Sequence, residues 1–400
     1  MERPITVLCI SSYFKGEAFL RQAKREGCRV LLLTEEKIAT EKWPRESIDE
    51  VFLMPDLSKT QDVIHAVSYL FRSQVIDLII ALDEYDVENV ATLREHLRLR
   101  GMGQTHTRYF RDKLAMRMKA SEKGILVPSF TSVFNYDAVR AYMSSVTPPW
   151  VLKPRTEAGA MGIKKINNSE ELWRWFDQLG DQQSGFLLEQ FVPGDVFHVD
   201  SIIWNNEILF ASVQQYGQPP MTVAHGGGVF TSRILPEQSP DAVALQALNK
   251  QVIGALGLER GVTHAEYIKA HADGQLYFLE IAARVGGAHI SDLIEQSAGI
   301  NPWAEWARIE IAHVRGEPYR LPEYRRQYGG LLISLAKQEH PDTSAYTDPE
   351  IVWRMDKKNH VGFIVVAEQE ARVQELLNQY AERILGDFNA YAPPKDKPSH

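Results

Sequence analysis

Thr263-His264-Ala265-Glu266-Tyr267-Ile268 and Leu276-Tyr277-Phe278-Leu279-Glu280-Ile281-Ala282-Ala283-Arg284 are two strand-like runs. They flank a turn that contains Ala272-Asp273-Gly274. Asp-Gly between such runs predicts a β-hairpin. The turn length decides which side chains meet. A two-residue turn at 273–274 places Glu266 opposite Ile281 and sends Glu280 to the other face. A three-residue turn with Gly274 left-handed pairs Glu266 directly with Glu280, and glycine at the last loop position favours this form. Two carboxylates facing each other across a ladder repel unless something cationic joins them. Mg²⁺, a hard ion that prefers carboxylate and phosphate oxygens, does this well. Arg284 lies four residues beyond Glu280, hence on the same face. The plainer alternative is a surface ion pair between Arg284 and Glu280.

Working outward from the hairpin, Val151-Leu152-Lys153-Pro154-Arg155-Thr156-Glu157-Ala158-Gly159-Ala160-Met161-Gly162-Ile163 places a lysine at a strand end before a loop of small residues. Such loops let backbone N–H groups approach phosphate oxygens, and the lysine neutralises charge. It is not a Walker loop, because G-K-[ST] is absent and a strand follows. A surface hairpin with an exposed lysine is the bland alternative. Phe186-Leu187-Leu188-Glu189-Gln190-Phe191-Val192-Pro193-Gly194-Asp195 is a strand leading into a short linker, followed by Phe197-His198-Val199-Asp200. Backbone groups there suit an adenine edge, with Asp195 or His198 in reach of ribose hydroxyls. Alone, the segment reads equally as a strand and turn. His225, in Ala224-His225-Gly226-Gly227-Gly228, is either an oxyanion donor or acid/base group or a loop histidine beside flexible glycines. Asp83 and Glu84 follow a strand over 77–82, where α/β domains bind ligands. They suit a substrate ammonium, or they are helix N-terminal acids favoured by the dipole.

The first hundred residues alternate strands (5–10, 29–34, 49–54, 77–82) with helices (16–26, 61–71). This rhythm predicts a parallel sheet. The turn Ser11-Ser12-Tyr13-Phe14-Lys15-Gly16 lacks G-x-G-x-x-G, which argues against a dinucleotide site. From residue 112 the pattern becomes α+β and mainly antiparallel, with a helix over 112–123 and strands over 150–153, 186–191, 197–203 and 207–213. Strands over 331–336 and 361–367 and a helix over 368–384 close the chain, before a tail at 392–398 expected to fray.

The 400 residues are 44% hydrophobic and 24% charged, an ordinary soluble balance, which excludes disordered and collagen-like chains. The net charge of −8 comes without a basic stripe, so no nucleic-acid partner is expected. No apolar run approaches the roughly 20 residues of a membrane span, so no membrane partner is expected. The start, MERPITVLCISS, lacks a secretory h-region. With only Cys9 and Cys28, neither a disulfide scaffold nor a cysteine zinc site is available, and a reducing cytoplasm is the expected home.

Together, in order and at these separations, the three segments resemble the ATP-grasp superfamily. The resemblance runs from the N-terminal α/β region to about residue 315. Family members have a lysine before the first ATP-grasp subdomain, and Lys113 occupies that place. Lys153 matches their second lysine, Glu189 to Gly194 their adenine hinge, and Glu266 and Glu280 their metal-binding acids. The resemblance implies a mixed α/β and α+β chain with the ATP-grasp fold. An open parallel α/β domain (1–110) would precede a small subdomain with the phosphate loop (111–185) and a central subdomain with the metal acids (186–315). A C-terminal α/β element and tail (316–400) would follow. The expected ATP contacts are Lys113, Lys153, Glu157, Gly159, Ala160, Gly162, Glu189, Gln190, Val192, Asp195 and His198.

Many ATP-grasp enzymes place Asn two residues after the second metal Glu, where this chain has Ala282. The number of metal ions is left open, since water can fill a Mg²⁺ position. The run Glu280 to Gly287 looks like the branch of L-amino acid ligases and stand-alone carboxylate–amine ligases, in which the Arg284 position helps bind the carboxylate or acyl phosphate. The implied reaction joins a carboxylate to an amine through an acyl phosphate, releasing ADP and phosphate. Arg284 and His225 are the catalytic candidates, and Arg284, Gly287, Asp83 and Glu84 the substrate candidates. ATP with Mg²⁺, or Mn²⁺ in its place, would be required. Amino acids are the expected carboxylate and amine partners, and a homodimer is compatible with the resemblance. A bicarbonate-dependent carboxylase-like enzyme and a non-catalytic ATP-binding subunit are the alternatives.

Overall fold

The computed structural model describes residues 3–390; the tail expected to fray lies outside the described residues. Four strands, β1 (Thr6–Ser11), β2 (Arg29–Glu35), β3 (Glu50–Met54) and β4 (Leu78–Ala81), form a parallel sheet in the order β3-β2-β1-β4. Every β1 residue is buried, as a strand covered by helices on both faces requires. The alternation read from the sequence therefore becomes the expected open α/β layer.

Strands β5 (Phe130–Ser132), β6 (Trp150–Pro154), β7 (Lys164–Ile166) and β8 (Phe186–Gln190) make a small antiparallel sheet in the order β5-β8-β6-β7. The third sheet contains β9 (Gly194–Trp204), β10 (Glu207–Tyr216), β11 (Phe230–Ile234), β12 (Gly261–Ala270), β13 (Leu276–Ala282), β14 (Tyr328–Leu335), β15 (Ile351–Arg354) and β16 (His360–Ala367). Its order is β13-β12-β9-β10-β11-β14-β16-β15, and it is antiparallel throughout. The C-terminal strands thus extend the sheet that carries the hairpin acids. Long-range pairing of β11 with β14 makes this junction, and no local pattern encodes it.

Helix Pro240–Leu256 packs Leu245, Val252, Ile253 and Leu256 under this sheet, in one core with Val199, Ala265 and Phe278. Its ends carry local signals. Ser239 caps it by accepting from Ala242 N–H, Pro240 opens it, and Gly257 ends it in the left-handed region. The N-terminal sheet and the body share another core. Phe19 of helix Glu17–Arg25 meets Trp306 of helix Pro302–Arg315 edge to face at 5.3 Å, so the tryptophan packs as a helix contact.

The β12–β13 hairpin pairs Glu266 with Glu280, and Gly274 is left-handed at φ 69°. The expected three-residue turn is corrected by the structure. Lys269 pairs with Leu276, and Ala270 N–H donates to the Gln275 carbonyl, so the loop is His271 to Gly274. That spacing alone would set Glu266 opposite Leu279. A bulge intervenes, because the register shifts between Glu266↔Glu280 and Tyr267↔Phe278. The extra residue, Leu279, brings the two acids together. No helix among the described residues is long and apolar enough to cross a membrane.

Candidate active site

A cavity of about 210 Å³ lies between the small sheet and the hairpin. Lys113, Lys153, Glu157, Glu266 and Glu280 all line it, so residues far apart in sequence converge. Gly159, Ala160, Glu189, Gln190 and Val192 line it too.

Lys113 opens helix Lys113–Glu122, which Asp112 caps by accepting from Leu114 N–H at 3.0 Å. The buried lysine reaches two elements: its Nζ donates to the Glu157 carbonyl at 2.6 Å and lies 3.1 Å from Glu280 Oε2. Lys153, buried on β6, forms an ion pair with Glu189 on neighbouring β8. Burial pushes the Lys153 ammonium below its ordinary pKa although Glu189 pulls the other way. Burial disfavours the Glu189 carboxylate too, but Lys153 and Arg117 together hold it below the usual range. Arg117 Nε is 3.2 Å from Glu189, and its guanidinium also donates to the Leu279 carbonyl. The Glu189 side chain is thereby committed to fixing Lys153, and only its place on the cavity wall matches a nucleotide contact.

The loop after β6 runs through positive φ at Gly159 (66°), Ala160 (61°) and Gly162 (69°). At Gly162 a Cβ would stand 2.8 Å from Pro154 Cγ, so the close fold-back needs glycine. Glu157 Oε2 accepts from the Tyr85 hydroxyl at 2.9 Å, which ties this loop to the N-terminal domain.

The repulsion expected between the hairpin acids is met by the protein's own groups. Lys113 faces Glu280, while Glu266 Oε1 accepts from the Tyr216 hydroxyl at 2.9 Å and lies 3.6 Å from His264 Nε2. Burial raises Glu266, but His264 and Tyr216 outweigh it and leave the carboxylate below its ordinary pKa. His264 Nδ1 lies 2.9 Å from Asp200, whose other oxygen is 2.7 Å from His198 Nδ1. Burial opposes the His264 imidazolium, yet Asp200 and Glu266 raise its pKa to about 10.

Several candidates sit elsewhere. His198 is fully buried between Asp200 and Ser232, away from any ribose position on the cavity wall. His198 pairs directly with Glu266 and so shares its face of the sheet, but Asp200, Ser232 and the Tyr216 ring cover it there. Asp195 is half exposed beside His271 and does not line the cavity. Asp83 is buried, caps the turn Glu84–Asp86 and is ion-paired with Lys15. Glu84 accepts from Arg284 Nε at 2.6 Å and lies 3.4 Å from Arg111. Arg284 therefore reaches across to the N-terminal domain, and the surface pair with Glu280 is not formed. Gly287 is exposed in the bend before helix Ile290–Ala298. His225 falls in helix Pro220–Gly226, whose Pro220, Met221 and Thr222 form one wall of the cavity; its side chain lies outside the described residues.

Sequence reading passed over Arg117, Tyr85 and Tyr216. Arg117 left one signal: it shares the helix face of Lys113, Met116 and Ala120, all buried. The two tyrosines act through contacts between distant segments and left none.

A model of the ATP-grasp domain matches residues 146–292, which span the loop after β6, the segment Glu189 to Gly194 and both hairpin acids. That stretch of the chain is similar to an ATP-grasp domain. Over 270 residues the chain is 27% identical to an L-arginine-specific L-amino acid ligase of Bacillus subtilis, covering 66% of this chain and 64% of that one. It is 23% identical over 267 residues to the alanine–anticapsin ligase of Bacillus subtilis, covering 60% and 55%. The chain thus spans less than two thirds of the length of these curated relatives. Its fold superposes on an L-amino acid ligase from Bacillus licheniformis with a TM-score of 0.76 at 16% identity, covering 98% and 100% of the chains. An N5-carboxyaminoimidazole synthetase from Staphylococcus aureus complexed with ADP gives 0.72 at 16%, covering 95% and 98%. At these identities the likeness concerns the ATP-grasp fold.

Proposed function

We propose that the protein is an ADP-forming carboxylate–amine ligase that acts on amino acids. The observation that carries this reading is the opposition of Glu266 and Glu280, with Lys113 spanning Glu280 and the Glu157 carbonyl in the cavity that Lys153 enters. Amino acid ligases among the relatives support the substrate class.

The donor set fits a hard divalent ion: two carboxylates at one cavity wall, whose described lining residues include no cysteine or histidine, while His264 Nε2 stands 3.6 Å from Glu266. Glu266 and Glu280 would hold Mg²⁺, or Mn²⁺, which when bound supplies positive charge against phosphate oxygens. Lys113 and Lys153 add charge from two other sides, and the loop 157–162 closes its N–H groups over the phosphates. The Val192 segment takes the adenine edge. Arg284 steadies the substrate carboxylate while its oxygen attacks the γ-phosphorus and ADP leaves. The amine nitrogen then attacks the acyl carbon, phosphate departs, and the amide forms. Most of the rate advantage comes from positioning and charge neutralisation. Two buried free cysteines agree with work in a reducing cytoplasm.

The test is phosphate release from ATP and Mg²⁺ with pooled amino acids and other carboxylates. ADP and phosphate should appear only when a carboxylate and an amine are both present. AMP and pyrophosphate during productive turnover would refute the acyl-phosphate route. Turnover with bicarbonate alone would favour the carboxylase reading.

A further inference from the structure

A larger cavity, about 390 Å³, lies behind the Glu84–Arg284 pair. It runs along β4 and helix Val87–Leu97 on one side and the turn Gly257 to Gly261 with helix Pro302–Arg315 on the other. Leu78, Val90, Phe110 and Trp306 give it an apolar floor.

Its charges do not balance locally. Arg260 lies 3.2 Å from Glu310, which also accepts from Trp306 Nε1 at 3.4 Å. Glu84 is taken by Arg284 and Arg111. Two guanidiniums remain without a carboxylate among the described residues. Arg94 donates to the Ile79 carbonyl at 2.7 Å, and its buried Nε has no partner. Arg100 is exposed and makes no hydrogen bond or ion pair with the described residues. One acid, Glu259, is likewise unpaired, but it is exposed to solvent. Burial and Arg260 hold the Arg94 pKa below its ordinary value, although Glu310 partly opposes them; His313 nearby is lowered by burial, Arg260 and Arg100. In both, burial is the largest cause. Gly101 keeps the wall close to Arg94, since a Cβ there would stand 2.9 Å from Nε. A cationic cavity with an apolar floor is complementary to an anion with an apolar body.

We propose that this cavity is a binding site, separate from the nucleotide site, for a small organic monocarboxylate with an apolar body. Arg94 and Arg100 receive the carboxylate, and the floor of Leu78, Val90 and Phe110 takes the remainder. The assignment does not depend on the ligase reading.

The test uses the full chain without nucleotide and follows fluorophenylacetate by fluorine NMR, with its neutral amide as control. The acid should bind saturably and the amide should not. Arg100→Ala and Arg94→Gln should each weaken binding about tenfold, as loss of a charged hydrogen bond does. Affinity for a non-hydrolysable ATP analogue should stay unchanged in both. Should Arg94→Gln fail to fold by circular dichroism, Arg100→Ala decides alone, because an exposed arginine without partners is dispensable to the fold. Absence of saturable binding, equal binding of the amide, or displacement by equimolar inorganic phosphate would overturn the proposal. So would binding that survives Arg100→Ala and disappears in Arg284→Gln, which would put the probe on the reaction side. Loss of turnover in the phosphate-release screen leaves these outcomes untouched, so the two readings fail separately.

Discussion

Lys153 and Glu189 are both almost fully buried, and Arg117 stands on the far side of the same carboxylate. Removing one member of such a set leaves charge without compensation. Lys153→Met should therefore cost about 3 kcal/mol in unfolding experiments. It should also weaken binding of an ATP analogue about tenfold by calorimetry. Unchanged nucleotide affinity would reduce Lys153 to a structural cation. Glu280 differs, because it is a third exposed and Lys113 is its ion-pair partner among the described residues. In Glu280→Gln that contact weakens, but repulsion with Glu266 falls too. The melting transition of the metal-free protein should move by less than about 1 kcal/mol, while Mg²⁺-dependent turnover is mostly lost. Full turnover at ordinary magnesium would sink the metal-site assignment.

At the scale of elements, the hairpin and the loop after β6 solve opposite problems. The hairpin is pinned on both sides, by β9 and by the Arg117 contact to the bulge residue Leu279. The loop is held at its ends, by the Lys113 contact to Glu157 and the fold-back at Gly162. Gly162→Ala meets both a left-handed φ and Pro154, at a cost of about 1–2 kcal/mol. Loops of this kind open locally without global unfolding. The variant should thus raise KM for ATP several-fold while its melting temperature stays close to wild type. A matching loss of melting temperature with normal KM would show that the loop is structural.

For the whole molecule, Glu84 and Asp86 tie acidity to the junction of the N-terminal domain and the body. Burial disfavours the Glu84 carboxylate, yet Arg284 and Arg111 overcome it and lower its pKa to about 2. Its stabilising contribution is present above the ordinary value of 4.5 and is lost as pH falls toward 2. Glu84→Gln, which strands two buried guanidiniums, should cost about 3–5 kcal/mol at neutral pH and far less in strong acid. Asp86 runs the other way. Burial and Asp83 raise its carboxyl from 3.8 to about 7. The folded state retains a proton that the unfolded chain releases, so stability falls as pH rises through that interval. Asp86→Asn should flatten this decline in denaturation measured across the same range. An unaltered pH profile would show that Asp86 titrates normally.

The sequence by itself determined the elements and most of the candidate site. Apolar runs and helical spacing marked β1, β2, β4 and the helix after Asp112, because these signals act within a few residues of one another. Lys153 and the two hairpin acids were legible from local strand and turn chemistry, whereas Lys113 was read through the family resemblance alone. Tertiary structure alone decided how they meet. Glu266 and Glu280 face each other through a bulge at Leu279, not through the turn length, and the bulge is anchored by Arg117 from a helix more than a hundred residues away. Glu189 keeps its place on the cavity wall with its carboxylate committed to Lys153, and His198 is off that wall, buried against Asp200 and Ser232. Arg284 turned to Glu84, and the C-terminal strands joined the hairpin's sheet, through pairings between distant segments. Periodicity is a property of neighbours along the chain, whereas ion pairing and sheet order are settled only when the folded chain excludes water and leaves each buried charge to find the partner within reach.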